Sequence, residues 1–130
     1  MLKGSCLCGD VTFTVTGTPF DPAACHCSQC RKMSGHVWAA AVVAEEGIEI
    51  AGPVRWFQSS ARARRGFCPR CGSSLFWQET GSGNMDFALG AVDGPTHMHL
   101  GRHIFTESKG DYYDIAATEP QQEGEGEPPT

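Results

Sequence analysis

Seven cysteines in 130 residues fall into three clusters: Cys6 and Cys8 in "CLCG", Cys25, Cys27 and Cys30 in "CHCSQC", and Cys68 and Cys71 in "CPRCG". Thiolates this close in sequence are soft metal ligands or nucleophiles, and their spacing helps to separate the two uses. The most specific pattern is "CPRCG". A C-x-x-C followed by glycine makes a tight turn that aims two sulfurs at one metal while backbone N–H groups bond the sulfurs. Such a knuckle is half of a tetrahedral site and needs a second pair. Four sulfurs suit zinc better than a hard cation, and the C-x-C spacings fit ferredoxin-type iron–sulfur patterns poorly.

Two partitions of the cysteines are open. In one, Cys6 and Cys8 join Cys68 and Cys71 in a closed four-sulfur site, leaving Cys25, Cys27 and Cys30 one ligand short. In the other, one of the pairs docks on the middle cluster. The first uses every cysteine and clips the N-terminal strand to the middle of the chain. The middle cluster could still be a second structural site, completed by His26, His36, His97, His99 or His103.

Disulfides are the weaker explanation of these thiols. No charged start followed by an apolar run marks a secretory leader, so a cytoplasmic, reduced protein is expected. Seven is an odd number, and Cys6–Cys8 or Cys25–Cys27 bridges would be strained. The longest apolar stretch, "VWAAAVVA", is too short to span a bilayer, so no membrane is expected. The formal charge of −5 comes mainly from Glu119, Glu123, Glu125 and Glu127. In residues 1–118, 10 Lys and Arg face 11 Asp and Glu, a balance that gives no reason to expect nucleic acid.

The elements that must position these cysteines are mostly short strands. Sixteen glycines and eight prolines punctuate the chain, so long helices are not expected. Alternating patterns predict strands over 11–17, 36–43, 48–50, 54–59, 63–67, 74–79, 85–92 and 102–108. One helix of two turns is predicted over 28–34, and "EEGI" and "GSGN" read as hairpin loops. Trp38, Trp56, Phe57, Phe67, Phe76, Trp77 and Phe87 read as sheet and core packing, with Trp38 and Trp77 as exceptions beside the cysteine motifs. Residues 1–116 form one domain in this reading. Residues 117–130, rich in Pro, Glu, Gly and Gln, form an acidic disordered tail.

The segments "GSCLCGDVTF", "CHCSQCRKMSG", "RGFCPRCGSSL", "MDFALGAVD" and "RHIFTESKGDYYDI" occur in the order and spacing of a known pattern. From about Gly4 to Ile115 the chain resembles the glutathione-dependent formaldehyde-activating enzyme family, which also includes centromere protein V-like domains. The resemblance implies a mainly β, zinc-stapled "tent" of short antiparallel strands. It implies a structural zinc on Cys6, Cys8, Cys68 and Cys71. A second zinc on Cys25, Cys27 and Cys30 would keep a place for a ligand. Two zinc ions per chain follow, with glutathione or a similar thiol as the small-molecule partner. Where many members carry Pro-Trp after "SK", this chain reads Gly110-Asp111-Tyr112.

Chemistry and resemblance agree on one reaction class. Zinc on three thiolates carries a formal charge of about −1, which weakens it as an activator of water but suits it to a soft thiol. The expected activity is a carbon–sulfur lyase joining a thiol to a small electrophilic carbon, as in S-(hydroxymethyl)glutathione formation. In that reading His26 or a backbone N–H steadies the developing alkoxide, and Arg31 and Lys32 bind the carboxylates of the thiol. Arg62, Arg64 and Arg65 read as solvated edge-strand charges, with Arg62 and Arg64 on one face. The alternative is a non-catalytic zinc-binding interaction module of the same fold. Exposed sheet edges are compatible with a monomer or a homodimer.

Overall fold

The computed structural model describes residues 1–126. Among these residues ten strands form two sheets. A three-stranded antiparallel sheet has the order β1 (Leu2–Ser5), β2 (Thr12–Val15), β5 (Ile48–Ala51). A seven-stranded sheet has the order β10 (Arg102–Ile104), β3 (Phe20–Cys25), β4 (Trp38–Ala44), β9 (Asn84–Ala88), β8 (Ser74–Glu79), β7 (Ala63–Phe67), β6 (Arg55–Gln58). Every strand pairing is antiparallel except β10 with β3. The mainly β architecture with one short helix is therefore the expected one.

Side-chain parity splits the large sheet into two working faces. On β4, Ala41 and Val43 are fully buried in the core, and on β9 Met85 and Phe87 join them. The small sheet supplies Phe13, Val15 and Ile48 to the same core. Phe13 meets Phe76 edge-on with ring centres 5.4 Å apart and lies 5.8 Å from Phe87. The alternate residues of these strands, Trp38, Ala40 and Val42 on β4 and Asn84 and Asp86 on β9, line a cavity instead. One strand thus serves packing and chemistry at once.

Gly4 shows how closely the small sheet is built. It faces Phe13 across β1 and β2, and a Cβ there would stand 2.1 Å from the tip of the Phe13 ring. The bare backbone lets that ring lie over the strand.

Helix α1 spans Ser28–Ser34, as the pattern predicts. Cys27 caps its start, its sulfur accepting the Cys30 N–H at 3.3 Å. Gly35, at φ 88°, ends it by bonding its N–H to the Arg31 carbonyl.

Several boundaries differ from the sequence expectation. Strand β1 carries no strand pattern of its own in the sequence, with Gly4 opposite Phe13 within its four-residue pairing to β2. Strand β3 was hidden by Pro22, and the ladder accommodates that residue through a register shift between Phe20 and Ala23, with Asp21 at φ 49°. "EEGI" is not a hairpin loop. Glu45–Gly47 form a 3-10 turn that carries the chain from β4 in one sheet to β5 in the other. The strands predicted over 85–92 and 102–108 end at Ala88 and Ile104, and 3-10 turns follow both. Phe57 is exposed rather than packed.

Residues 117–126 belong to the acidic segment whose composition predicts disorder. Instead of standing free, this segment runs along the outer edge of β10. His103 donates its N–H to the Pro120 carbonyl, Gln122 donates to His103, and Phe105 donates to Gly124. The buried Arg102 secures it, binding the Asp21 carboxylate at 2.7 and 2.9 Å, the Gln122 side chain at 2.6 Å and the Glu125 carbonyl at 2.6 Å. Backbone pairing and one buried cation supply what the composition lacks in apolar surface. Residues 127–130 of the predicted tail lie outside the described residues.

Candidate metal centre and cavity

The four-sulfur partition is the one the fold assembles. Sγ atoms of Cys6, Cys8, Cys68 and Cys71 all lie within 4.8 Å of one another. Cys6 and Cys8 sulfurs are 3.6 Å apart, and Cys8 and Cys68 sulfurs 3.7 Å. Tetrahedral zinc with Zn–S bonds of about 2.3 Å requires sulfurs about 3.8 Å apart, so the set fits. Backbone geometry makes this spacing. Gly72 N–H closes onto the Cys68 carbonyl at 2.8 Å, forming the predicted knuckle, and Val11 N–H points at Cys6 Sγ at 3.3 Å. The Ser73 hydroxyl, 3.1 Å from Cys71 Sγ, leads the contacts that hold that thiol down to about 5.

The second set is Cys25, Cys27 and Cys30, again with all sulfurs within 4.8 Å. Cys25 ends β3, Cys27 caps α1 and Cys30 is its buried residue. Hydrogen bonds from the Cys25 thiol, then from Cys30, hold Cys27 down to about 2. The same contact with Cys27 pushes Cys25 far above the ordinary thiol range. One negative charge is stable in this trio unaided; ionising all three sulfurs requires a cation among them. Among the described residues no imidazole or carboxylate joins the three sulfurs.

His26 is turned away from them. Its ring is buried, with Nδ1 hydrogen-bonded to the Tyr113 hydroxyl and Nε2 2.9 Å from His103 Nδ1. His103 in turn reaches Glu119 at 3.2 Å. Burial, then the nearby charges of His103, His36 and Lys109, holds His26 down to about 4, so it is a neutral imidazole. Both ring nitrogens are engaged and the residue is not among those lining the cavity. It braces the loop between β3 and α1. In the Gly110-Asp111-Tyr112 stretch that departs from the Pro-Trp of many members, and just after it, the Tyr112 and Tyr113 hydroxyls bond His36 and His26.

The three sulfurs line one region of a cavity of about 630 Å³. Its floor is the outer face of the large sheet, where Arg65, Trp77, Asp86 and Val42 stand in one register row across β7, β8, β9 and β4. Trp38 and Trp77, the aromatics singled out in the sequence, both line it.

The basic residues are rearranged relative to expectation. Neither Arg31 nor Lys32 lines the cavity; Arg31 donates its Nε–H to the Ser108 carbonyl at 3.1 Å, and Lys32 is exposed. Arg62 and Arg65 do line it. Arg64 points to the other face, stacked 3.9 Å over Trp56 and bonded to Gln78. Arg62 precedes β7 and escapes its alternation, so it does not share a face with Arg64. Asp86 was not foreseen. Burial, followed by the charges of Asp21 and Glu125, pushes its carboxyl up to about 7. Its only sequence signal is an acid between two buried apolar residues of a strand.

The pattern of the glutathione-dependent formaldehyde-activating enzymes matches residues 1–108. The chain belongs to that family. A crystal structure of a Rhodobacter sphaeroides protein matches the fold with a TM-score of 0.61 and 24% identity, covering 73% of this chain and 91% of that one. No curated protein gives a significant match. No helix among the described residues is long and apolar enough to cross a membrane.

Proposed function

We propose that this family member is a carbon–sulfur lyase that joins a thiol, glutathione or a close analogue, to formaldehyde. The observation that carries this reading is the three-sulfur set beside a cavity, with no fourth protein ligand atom among the described residues. A structural site would close itself, as Cys6, Cys8, Cys68 and Cys71 do. Zinc held by Cys25, Cys27 and Cys30 would supply a soft Lewis acid that keeps a further thiol in its thiolate form.

The chain's own residues supply the rest. Trp38 and Trp77 give the cavity apolar walls that limit water around the sulfurs. Arg62 and Asp86, both lining the cavity, offer one cation and one carboxyl to a thiol that carries both carboxylate and ammonium groups. The reaction forms one S–C bond, converts the carbonyl C=O to C–O–H and moves one proton from sulfur to oxygen. No redox partner is needed.

Exchange spectroscopy by NMR on formaldehyde, glutathione and their adduct at equilibrium tests this directly. Catalytic amounts of protein should raise the interconversion rate at least tenfold above the buffer reaction. A rate unchanged by the two-zinc protein would refute the assignment and favour the interaction-module reading.

A further inference from the structure

Arg65 is the least expected residue of the cavity. It sits in the middle of β7, is only 6% exposed and has no carboxylate in ion-pair contact among the described residues. Its Nη1 is 3.5 Å from Cys30 Sγ, and its Nη2 is 3.3 Å from Gln29 Oε1. Gln29 is itself anchored to the Ser59 carbonyl at 3.0 Å. The Arg65 Nε–H is buried without a hydrogen-bond partner among the described residues. A guanidinium so far removed from water is costly unless an anion stands beside it. The Cys30 sulfur is the group it touches, an anion once a divalent ion is held by the three sulfurs, and Asp86 on β9 is the carboxyl whose charge it feels across the sheet.

We propose that Arg65 is the counter-charge of the three-sulfur set, the fixed cation that lets this set accept a fourth, anionic sulfur from the substrate thiol. The inference rests on the proposed function and adds a named positioning residue to it. Three thiolates and a divalent ion sum to −1, and a substrate thiolate would bring the group to −2. The arginine returns it to −1. Its charge cannot be lost near neutral pH, and Gln29 fixes the direction of the fork. A unit charge at about 6 Å in a protein interior moves a thiol titration by one to two pH units.

Cobalt(II)-loaded protein gives a readout independent of turnover, because sulfur-to-cobalt charge-transfer absorption intensifies when a further thiolate binds. Glutathione is titrated against pH in wild type, Arg65→Gln and Arg65→Lys. The expected midpoint for thiolate binding rises by about one to two pH units in Arg65→Gln. In Arg65→Lys it stays within about half a unit of wild type, because charge is kept. An unchanged midpoint in Arg65→Gln, with two metals retained, overturns the role of Arg65 and leaves the proposed function standing. If Arg65→Gln cannot hold two metals, Arg65→Lys decides: a midpoint near wild type supports the proposal, and a rise of a full unit or more overturns it. Absence of thiolate binding to wild type at any pH overturns the function and this inference together.

Discussion

Cys8 and Cys68 stand 60 positions apart in the chain, yet their sulfurs lie 3.7 Å apart. That contact joins the loop after β1 to the knuckle after β7, and so ties the small sheet to the large one. Zinc held by these four sulfurs would be part of folding rather than an addition to it. Cys68→Ser should therefore lower stability by on the order of 3–5 kcal/mol and release one zinc per chain. Thermal melts with metal analysis read both effects. A variant that melts like wild type would show that these four cysteines are not the structural set.

Cys27→Ser should behave differently. Its sulfur belongs to the set beside the cavity, and it also caps a helix of only two turns, a cap that serine can replace. The fold should survive with a melting temperature within a few degrees of wild type, one zinc should be lost, and thiol–formaldehyde exchange should fall to the buffer rate. Loss of the fold would mean that the second site is structural too.

Asp86 gives a pH signature away from the metal ligands. Its carboxyl is raised from 3.8 to about 7 by burial, then by Asp21 on β3 and Glu125 on the C-terminal segment, against the opposing charge of Arg65 on β7, with Glu79 on β8 adding to the rise. The folded state thus holds this proton more tightly than the unfolded chain. The contribution of Asp86 to stability is fully present below about pH 4 and is lost as pH rises through about 7. Asp86→Asn should leave stability unchanged near pH 4 and raise it by about 1–3 kcal/mol at pH 8.5. Denaturant melts at the two pH values check this, and an equal effect at both would refute the buried-acid account.

Arg102 holds the segment 117–126 on the edge of β10 through Asp21, Gln122 and the Glu125 carbonyl. Removing it leaves Asp21 charged and partly buried, at a cost on the order of 3–5 kcal/mol. Arg102→Ala should also make this segment the first site of limited proteolysis, with cleavage between residues 117 and 126. Cleavage elsewhere first would show that the segment is held by other contacts.

Much of this molecule is legible in its sequence because the signals are local. Turn chemistry at Gly72 and the short helix over 28–34 fix the cysteine geometry within a few residues, and alternation fixes most strands. What was hidden depends on partners distant in the chain. Pro22 masked β3 because only the bulge against β4 makes a proline acceptable there. The tail looked incapable of order because Arg102, which orders it, lies outside it. Arg65 looked like one more edge charge because nothing in "ARARR" says which arginine turns inward. The expected strand 63–67 has the observed bounds, so Arg65 faces opposite to Arg64, but parity alone does not say which of the two faces meets the cavity. His26 stands between Cys25 and Cys27 in sequence, yet its ring bonds Tyr113 and His103, partners distant in the chain.

The central claim is that Cys25, Cys27 and Cys30 leave one coordination position to a substrate thiol. X-ray absorption at the zinc edge counts sulfurs directly. Protein loaded with two zinc ions should show about 3.5 sulfurs per zinc without thiol, the mean of one four-sulfur and one three-sulfur site. Glutathione should raise that mean to about 4.0. A count that stays at its starting value under saturating glutathione would contradict the account.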